Sequence, residues 1–374
     1  MAKQIINLGT PPEGEDGDTN YVAWQKANGN FTELYDSVSD LSASVSGQAS
    51  FKNKLINGNF NVWQRGTSFA AATGTRYTAD RWVSVGVGST SALSQQAFAL
   101  GQGVVPWEPS YFLRTVVASS AGASNLAALQ QNIEGVRNCA GRTMTLSFWA
   151  KADAAKNIAV ELSQVFGTGG SPSSQVINIG TTTVALTAGW VKKTITFTIP
   201  AIAGKTLGTN NNDYTQLTFW FDAGTTYAGR SNGLGQQSGT FDIAQVQLEL
   251  GTAATAFELV PPAIELTQCQ RYCFAATLPA GGAFAAGTQY STTGALAQFN
   301  TPVQMRAFPT LTITGQGIGW VGNGTPNSGN PTIAGSWNGQ FVLLFTISGA
   351  TTGQSGFAAG KSGGTTLMIL DAEL

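Results

Sequence analysis

The chain contains no histidine. That removes the commonest general base and the commonest metal ligand, and no Ser-His-Asp or Cys-His triad can be assembled within one chain. Charge is nearly as scarce. Asp, Glu, Lys and Arg make up 10% of the residues, against about a quarter in ordinary domains. The net charge is −1, so there is no basic field to hold a nucleic acid or an anionic membrane. Cysteine occurs three times, at Cys139, Cys269 and Cys273. An odd count excludes complete internal pairing, and the 269/273 spacing does not match the C-x-x-C pair of a zinc site. Free, partly buried thiols are expected, with no metal and no cofactor. No run of 18 apolar residues exists, so no membrane-spanning helix is expected. Residues 1–9 lack the apolar core of a secretory signal, which points to synthesis in a cytoplasm.

What is present is glycine (46 residues), a 42% hydrophobic fraction and 10% aromatics. Gly, Thr and Ser in such numbers signal strands joined by many turns. The apolar content is ample for sizeable cores. The length suits two or three domains, and four segments are expected. Residues 1–18 carry two prolines and several acidic residues among glycines, and read as an extended leader. Ile5, Ile6 and Leu8 at its start either dock onto another protein or belong to a frayed terminus.

Residues 19–50 carry a heptad. Phe31, Leu34, Val38, Leu41 and Val45 recur at spacings of 3, 4, 3 and 4, the stripe that lets helices wind around one another. Trp24 and Ala27 extend it backwards. Thr19 or Asp18 can cap the start. Asn28-Gly29-Asn30 interrupts the pattern, and a helical Gly costs about 1 kcal/mol. Two helices are therefore expected, at 19–28 and 31–46. Helices this short are marginal alone, so partner chains are expected to stabilise them. The competing reading is an amphipathic helix packed on its own domain. Val with Leu at the core positions favours two strands, whereas Trp24 and Phe31 suit a wider core. The heptad by itself leaves dimer and trimer open.

Residues 51–262 alternate with period two. Met144, Leu146, Phe148 and Ala150 share one face, and Thr145, Ser147, Trp149 and Lys151 the other. Similar runs are Ile158/Val160/Leu162, Ile195/Phe197/Ile199 and Leu217/Phe219/Phe221, each a half-buried strand. Phe241 and Ile243 are followed by Val246, Leu248 and Leu250, a slip of one that predicts a β-bulge at Ala244–Gln245. Strands at this spacing imply a β-sandwich or jelly roll. Pro261-Pro262 marks a boundary. Residues 264–272 are expected as a short helix or connector, and residues 263–374 as a smaller β-domain with strands at 311–314, 341–347 and 367–370. The fold class is thus mainly β, led by a short helical coiled coil.

Several stretches together carry a resemblance. Asn57-Gly-Asn-Phe-Asn-Val-Trp-Gln-Arg-Gly66, Tyr77-Thr-Ala-Asp-Arg-Trp82, Ser147-Phe-Trp-Ala-Lys-Ala152, Thr218-Phe-Trp-Phe-Asp222 and Phe241 to Gly251 resemble the carbohydrate-binding-type jelly roll of phage and prophage tail fibre proteins. Gln268-Cys-Gln-Arg-Tyr272 and Asp371-Ala-Glu-Leu374 are similar to the C-terminal unit that often follows. Ile6-Asn-Leu-Gly-Thr-Pro-Pro, Asp16-Gly-Asp-Thr and Asn30-Phe-Thr-Glu-Leu34 resemble the virion-proximal end. The resemblance implies a structural virion protein, usually a homotrimer, with its N-terminus on the tail or baseplate and its β-domains toward the host surface.

Trp149 and Trp220 fall on the polar-facing side of their strands, beside Lys151 and Asp222. Exposed there, the four residues offer what a glycan site needs: rings for the C–H faces of sugars and polar groups for the hydroxyls. The competing reading packs both rings beneath a loop, a second sheet or a neighbouring subunit. Trp63, Arg65, Asp80, Arg81 and Trp82 read as structural. Loops at 167–174, 209–213, 227–237 and 322–330 are further candidate contact regions. Hydrolysis of a polysaccharide needs two carboxylates flanking the bond, and no local pair points to one. The expectation is a receptor-binding tail fibre that is not an enzyme. The alternatives are a purely structural tail, baseplate or collar component, and a polysaccharide-degrading tailspike.

Overall fold

The computed structural model describes residues 5–8, 10, 15–48, 51–322, 325–326, 329–337, 339–348 and 350–374, with side chains of 39–48, 325–326 and 336–337 outside that description. The chain is mainly β and divides into two compact units. Residues 1–52 with 255–258 form one; residues 53–254 with 259–374 form the other. No described helix is long and apolar enough to cross a membrane.

In the first unit, the leader folds back on its own acidic turn. Asp16 accepts hydrogen bonds from the Thr10 hydroxyl and amide, and Asp18 from the Asn7 amide (2.7 Å) and the Lys26 ammonium (2.7 Å). One helix follows, α1 (Asn20–Gln48). Thr19 caps it, its hydroxyl accepting from the Val22 amide at 3.4 Å. The two helices expected from the sequence are one. Gly29 lies inside an unbroken ladder, and the turns on both sides of it outweigh its cost of about 1 kcal/mol. Asn30 lies within the helix and starts no second one. Trp24, Phe31, Leu34 and Val38 are 56–69% exposed along one stripe, while Ala27 is half-buried. Leu41 and Val45 lie outside the described side chains.

In the second unit, ten strands form one continuous sheet that closes into a sandwich of the jelly-roll kind. They are β1 (Ser68–Tyr77), β2 (Trp82–Ala97), β3 (Tyr111–Ala118), β4 (Leu126–Glu134), β5 (Thr143–Ala152), β6 (Lys156–Val165), β7 (Val176–Leu186), β8 (Val191–Thr198), β9 (Tyr214–Ala223) and β10 (Gly239–Leu250). The order is β7-β6-β9-β4-β2-β3-β10-β5-β8, with β1 on β2. Strand β2 changes partner along its length: Trp82–Val87 pair with β4, and Thr90–Ala97 with β3. Between them Gly88 takes φ 67°, and a Cβ there would lie 2.1 Å from the Asn125 side chain, so only glycine makes this crossing. Two layers result. Rings bridge them, with Phe148 and Phe221 of opposite layers each 5.0 Å from a partner, Phe219 and Phe241 respectively. Met144, Leu146, Phe148, Ala150, Ile158, Val160, Leu162, Leu217, Phe219 and Phe221 all enter this core. The bulge is present: register moves from Ala244↔Trp149 to Gln247↔Ser147, with Gln245 at φ 47°. The inward run ends at Leu248, however, and Leu250 is 55% exposed.

A short helix, α2 (Pro262–Gln270), leads to the remaining strands. These are β11 (Cys273–Leu278), β12 (Ala283–Ser291), β13 (Gly294–Asn300), β14 (Thr310–Gly315), β15 (Ile318–Gly322), β16 (Thr325–Pro326), β17 (Thr332–Trp337), β18 (Gln340–Thr346), β19 (Ser355–Gly360) and β20 (Thr366–Asp371). They make a three-stranded sheet, β11-β20-β14, and a seven-stranded one, β16-β15-β19-β12-β13-β18-β17. Ile318, Trp320, Leu343, Phe345 and Met368 are among the residues of their shared core.

The end of β20 and the residues after it are clasped by the sandwich. Arg65 reaches Asp371 (2.8 Å) and Glu373 (3.3 Å), and Arg81 pairs with Glu373. The Arg81 guanidinium also donates to the Asn132 carbonyl (2.5 Å) and lies 3.5 Å over the Tyr272 ring. The Tyr77 hydroxyl and the Asn132 amide both donate to the Leu374 carbonyl. Arg306 donates to the carbonyls of Ala372 and Glu373. Four of the stretches that carry the family resemblance, around 57–66, 77–82, 268–272 and 371–374, meet here. All three cysteines are buried and unpaired.

Candidate functional site

Strand β5 turns Leu146, Phe148 and Ala150 inward, so Thr145, Ser147, Trp149 and Lys151 face away from the core. Registry sets their neighbours. Trp149 lies opposite Lys192 of β8 and Ala244 of β10. Lys151 lies opposite Asp242 of β10, which lies opposite Arg114 of β3. The result is a cross-strand row of alternating sign. Arg114 grips the Asp242 carboxylate with Nε and NH2, both at 2.8 Å, and Lys151 Nζ approaches it at 3.5 Å. The Asp242 hydrogen bond holds the Arg114 guanidinium's pKa above its ordinary value against the opposing effect of partial burial. Asp242 is 3% exposed, while Arg114 and Lys151 keep about a third of their surface in solvent, at 34% and 28%.

Aromatic rings flank this row. Phe98, Phe112 and Trp190 form a triangle with centroids 4.9–5.2 Å apart. Lys151 Nζ sits 5.2 Å from the Trp190 centroid and 5.8 Å from that of Phe112, within cation–π range. Phe112 is buried, whereas Phe98, Trp149 and Trp190 are half-buried.

The loop between β2 and β3 crosses this face. Gln245 at the bulge donates its side-chain amide to the Pro106 carbonyl (2.7 Å). Gln102 ties the loop internally, accepting from the amides of Val104 and Val105 at 2.9 Å. Next to the anchored Pro106, Trp107 takes φ 68° and stands 60% exposed. Such a backbone conformation is sparsely populated for a bulky residue and persists only where the surroundings over-determine it. Val104, Leu100 and Tyr111 are exposed on the same segment. The face therefore combines accessible indole surface with cations and a fixed carboxylate. That combination can stack the C–H side of a pyranose and exchange hydrogen bonds with its hydroxyls.

The four glycan-binding candidates do not form one site. Trp149 and Lys151 lie together on the layer of β5. Trp220 and Asp222 lie on β9, in the opposite layer, and face away from the same core. Nor are Trp220 and Asp222 exposed, at 2% and 0%. The segment after β9, from the 3-10 turn Thr225–Tyr227 onward, folds down over them. Tyr227 packs 5.4 Å from Trp220, and the Arg230 guanidinium 5.2 Å over it. Buried Glu161 ties the cover down, accepting from Trp220 Nε1 (3.1 Å), Arg230 Nε (3.0 Å) and the Asn178 amide (2.9 Å). Asp222 accepts from the Ser89 and Ser119 hydroxyls and the Gln237 amide. The expectation that this Trp-x-Asp pair lies open is corrected: a burial-driven cover claims the ring, and loop anchoring claims the carboxylate.

Sequence reasoning did not single out Phe98, Trp107, Phe112, Arg114, Trp190 or Asp242 for this face. Phe112-x-Arg114 alternates with the inward Leu113 and Thr115, a period-two signal that marks it as outward. Nothing local joins Trp107 or Trp190 to β5, because the connection is made by sheet order. Of the four candidate loops, 167–174 and 209–213 bind each other through Thr168, Asn210 and Asn212. Loop 227–237 is the Trp220 cover, and residues 323–324 and 327–328 of loop 322–330 lie outside the described residues.

No family model matches the sequence, and neither does any curated protein. Among solved structures, the chain is similar to the CBM22-2 xylan-binding domain of Paenibacillus barcinonensis Xyn10C, at 16% identity and a TM-score of 0.30, over 54% of this chain and 100% of that one. It is similar to the family 11 carbohydrate-binding module of Clostridium thermocellum in complex with a β-1,3-1,4-mixed-linked tetrasaccharide, at 12% identity and 0.28, over 49% and 99%. It is also similar to the enzymatically active domain of tailspike protein 4 of bacteriophage CBA120, at 13% identity and 0.28, over 54% of this chain and 22% of that one.

Proposed function

We propose that this protein is a phage tail fibre that recognises a bacterial surface glycan through its β-domains and joins the virion through its N-terminal segment. The observation that carries the reading is the outer face around Trp149, where half-buried and exposed indoles border a fixed Arg114–Asp242–Lys151 row. The ordered set of tail-fibre-like stretches supports the virion setting. The uncovered stripe Trp24/Phe31/Leu34/Val38 supports assembly of several copies along α1, and the family resemblance favours three. Ile5 and Leu8, 76% and 84% exposed, are then available to a tail or baseplate partner. Several copies raise avidity without a strong single site.

Binding is favoured over hydrolysis because the carboxylates nearest the two outward tryptophans are already engaged, Glu161 by Trp220 and Arg230, Asp222 by three donors and Asp242 by Arg114. An array of bacterial surface polysaccharides, probed with the labelled full chain, tests the reading. The parent is expected to retain at least one glycan. Trp149→Ala and Trp107→Ala are each expected to weaken retention about tenfold, from stacking losses of about 1–1.5 kcal/mol per ring. Retention unchanged in both variants would place recognition elsewhere.

A further inference from the structure

The seven-stranded sheet carries a pocket of about 590 Å³ on its outer side. Its floor follows from alternation. In β15, Ile318 and Trp320 enter the core, leaving Gly319 and Val321 outward. In β19, Ala358 enters the core, leaving Phe357 and Ala359 outward. The register Gly319↔Ala359 and Val321↔Phe357 places two small residues and two apolar ones side by side. Gly281, Gln316 and residues 360–362 complete the lining.

The walls are tied by backbone bonds on both sides. The Gly281 amide donates to the Gly360 carbonyl (2.8 Å), the Gly360 amide to Gly282 (3.1 Å) and the Lys361 amide to Gly317 (2.9 Å). The pocket is therefore formed before any ligand arrives, and its volume falls within the roughly 300–1,000 Å³ of small-molecule sites. Phe357 keeps 37% of its surface exposed. Lys361 is the sole ionisable residue of the lining, beside the amide of Gln316 and the hydroxyl of Ser362.

We propose that this pocket binds an acidic sugar, a pyranose bearing a carboxylate. The C–H face of the ring rests on Phe357 and Val321, the hydroxyls meet Gln316 and Ser362, and the carboxylate meets the Lys361 ammonium, a charge-assisted contact stronger than a neutral one. The site is separate from the Trp149 face and shares with the proposal above only the premise that the chain meets glycans.

The test is calorimetric titration of the full chain with a glucuronate-containing disaccharide and with its glucose counterpart. The acidic sugar is expected to bind at least about tenfold more tightly, the value of one charged hydrogen bond. Phe357→Ala is expected to abolish binding of both sugars. Lys361→Gln is expected to bring the acidic sugar down to the affinity of the neutral one, and Trp149→Ala to change neither. Unchanged thermal melts establish that the variants fold. Equal affinity for the two sugars, no binding of the acidic one by the parent, or titrations untouched by Phe357→Ala and Lys361→Gln would each overturn the proposal. A polysaccharide array that responds while the acidic disaccharide stays silent sinks this inference alone. A silent array with a bound disaccharide sinks the Trp149 reading alone.

Discussion

Glu265 is a carboxyl buried in α2, 3% exposed, and its Oε2 has no hydrogen-bond partner. Burial pushes its pKa from 4.5 up to about 7, against the opposing hydrogen bond from Asn59. Below pH 4.5 the folded and unfolded chains both hold the proton, and folding carries no penalty. Between pH 4.5 and 7 the unfolded chain releases it while the folded chain keeps it, so this residue's contribution falls as pH rises and levels off above 7. Glu265→Gln is expected to remove that slope. The variant should match the parent at pH 4 and exceed it at pH 8 by up to about 3 kcal/mol. Denaturant titrations at the two pH values measure this, and parallel profiles would acquit the carboxyl. Residue chemistry of this kind was only half legible beforehand. Glu265 is one acidic residue among several in the sequence, and its burial comes from where α2 packs.

At the scale of elements, α1 separates what a pattern reveals from what it hides. The heptad located the helix and its apolar stripe, since both follow from a 3.6-residue repeat. The break at Asn28-Gly29-Asn30 did not materialise, because a local penalty of about 1 kcal/mol is set against a cooperative ladder. Gly29→Ala is therefore expected to raise the thermal midpoint of the helical circular dichroism signal. Were the helix interrupted there, the midpoint would stay or fall. Leu34→Asp with Phe31→Asp is expected to lower the mass seen by light scattering. An unchanged mass would mean that the stripe holds no copies together. The bulge in β10 was the better-read element: inward residues slip by one between Ile243 and Val246, and the extra residue, Gln245, is the one that anchors Pro106.

At the scale of the molecule, the clasp around residues 371–374 joins the sandwich to the smaller sheets within one compact unit. Arg81 is 2% exposed and depends on Glu373 for compensation. Removing one partner of a buried pair leaves an uncompensated charge and costs about 3–5 kcal/mol. Arg81→Met and Glu373→Gln are each expected to destabilise the unit on that scale in denaturant titrations. The double variant should recover part of the loss, because no lone charge is left inside. Strict additivity of the two losses would show that the residues do not act as a pair. The sequence motifs at 57–66, 77–82, 268–272 and 371–374 thereby acquire a physical role as the two sides of one joint.

The sequence by itself determined the class of fold, the helix at the start, the inward face of most strands and the absence of histidine chemistry. These are properties of composition and short periods, which act within about ten residues. Only the tertiary structure decided which outward tryptophan meets solvent. Trp149 and Trp220 carry the same local signal, each on the polar side of an alternating strand. One is half open beside a charged row. The other lies under a cover pinned by Glu161, which reaches it from the neighbouring strand β6. Strand order and loop return are long-range facts, and they fix exposure.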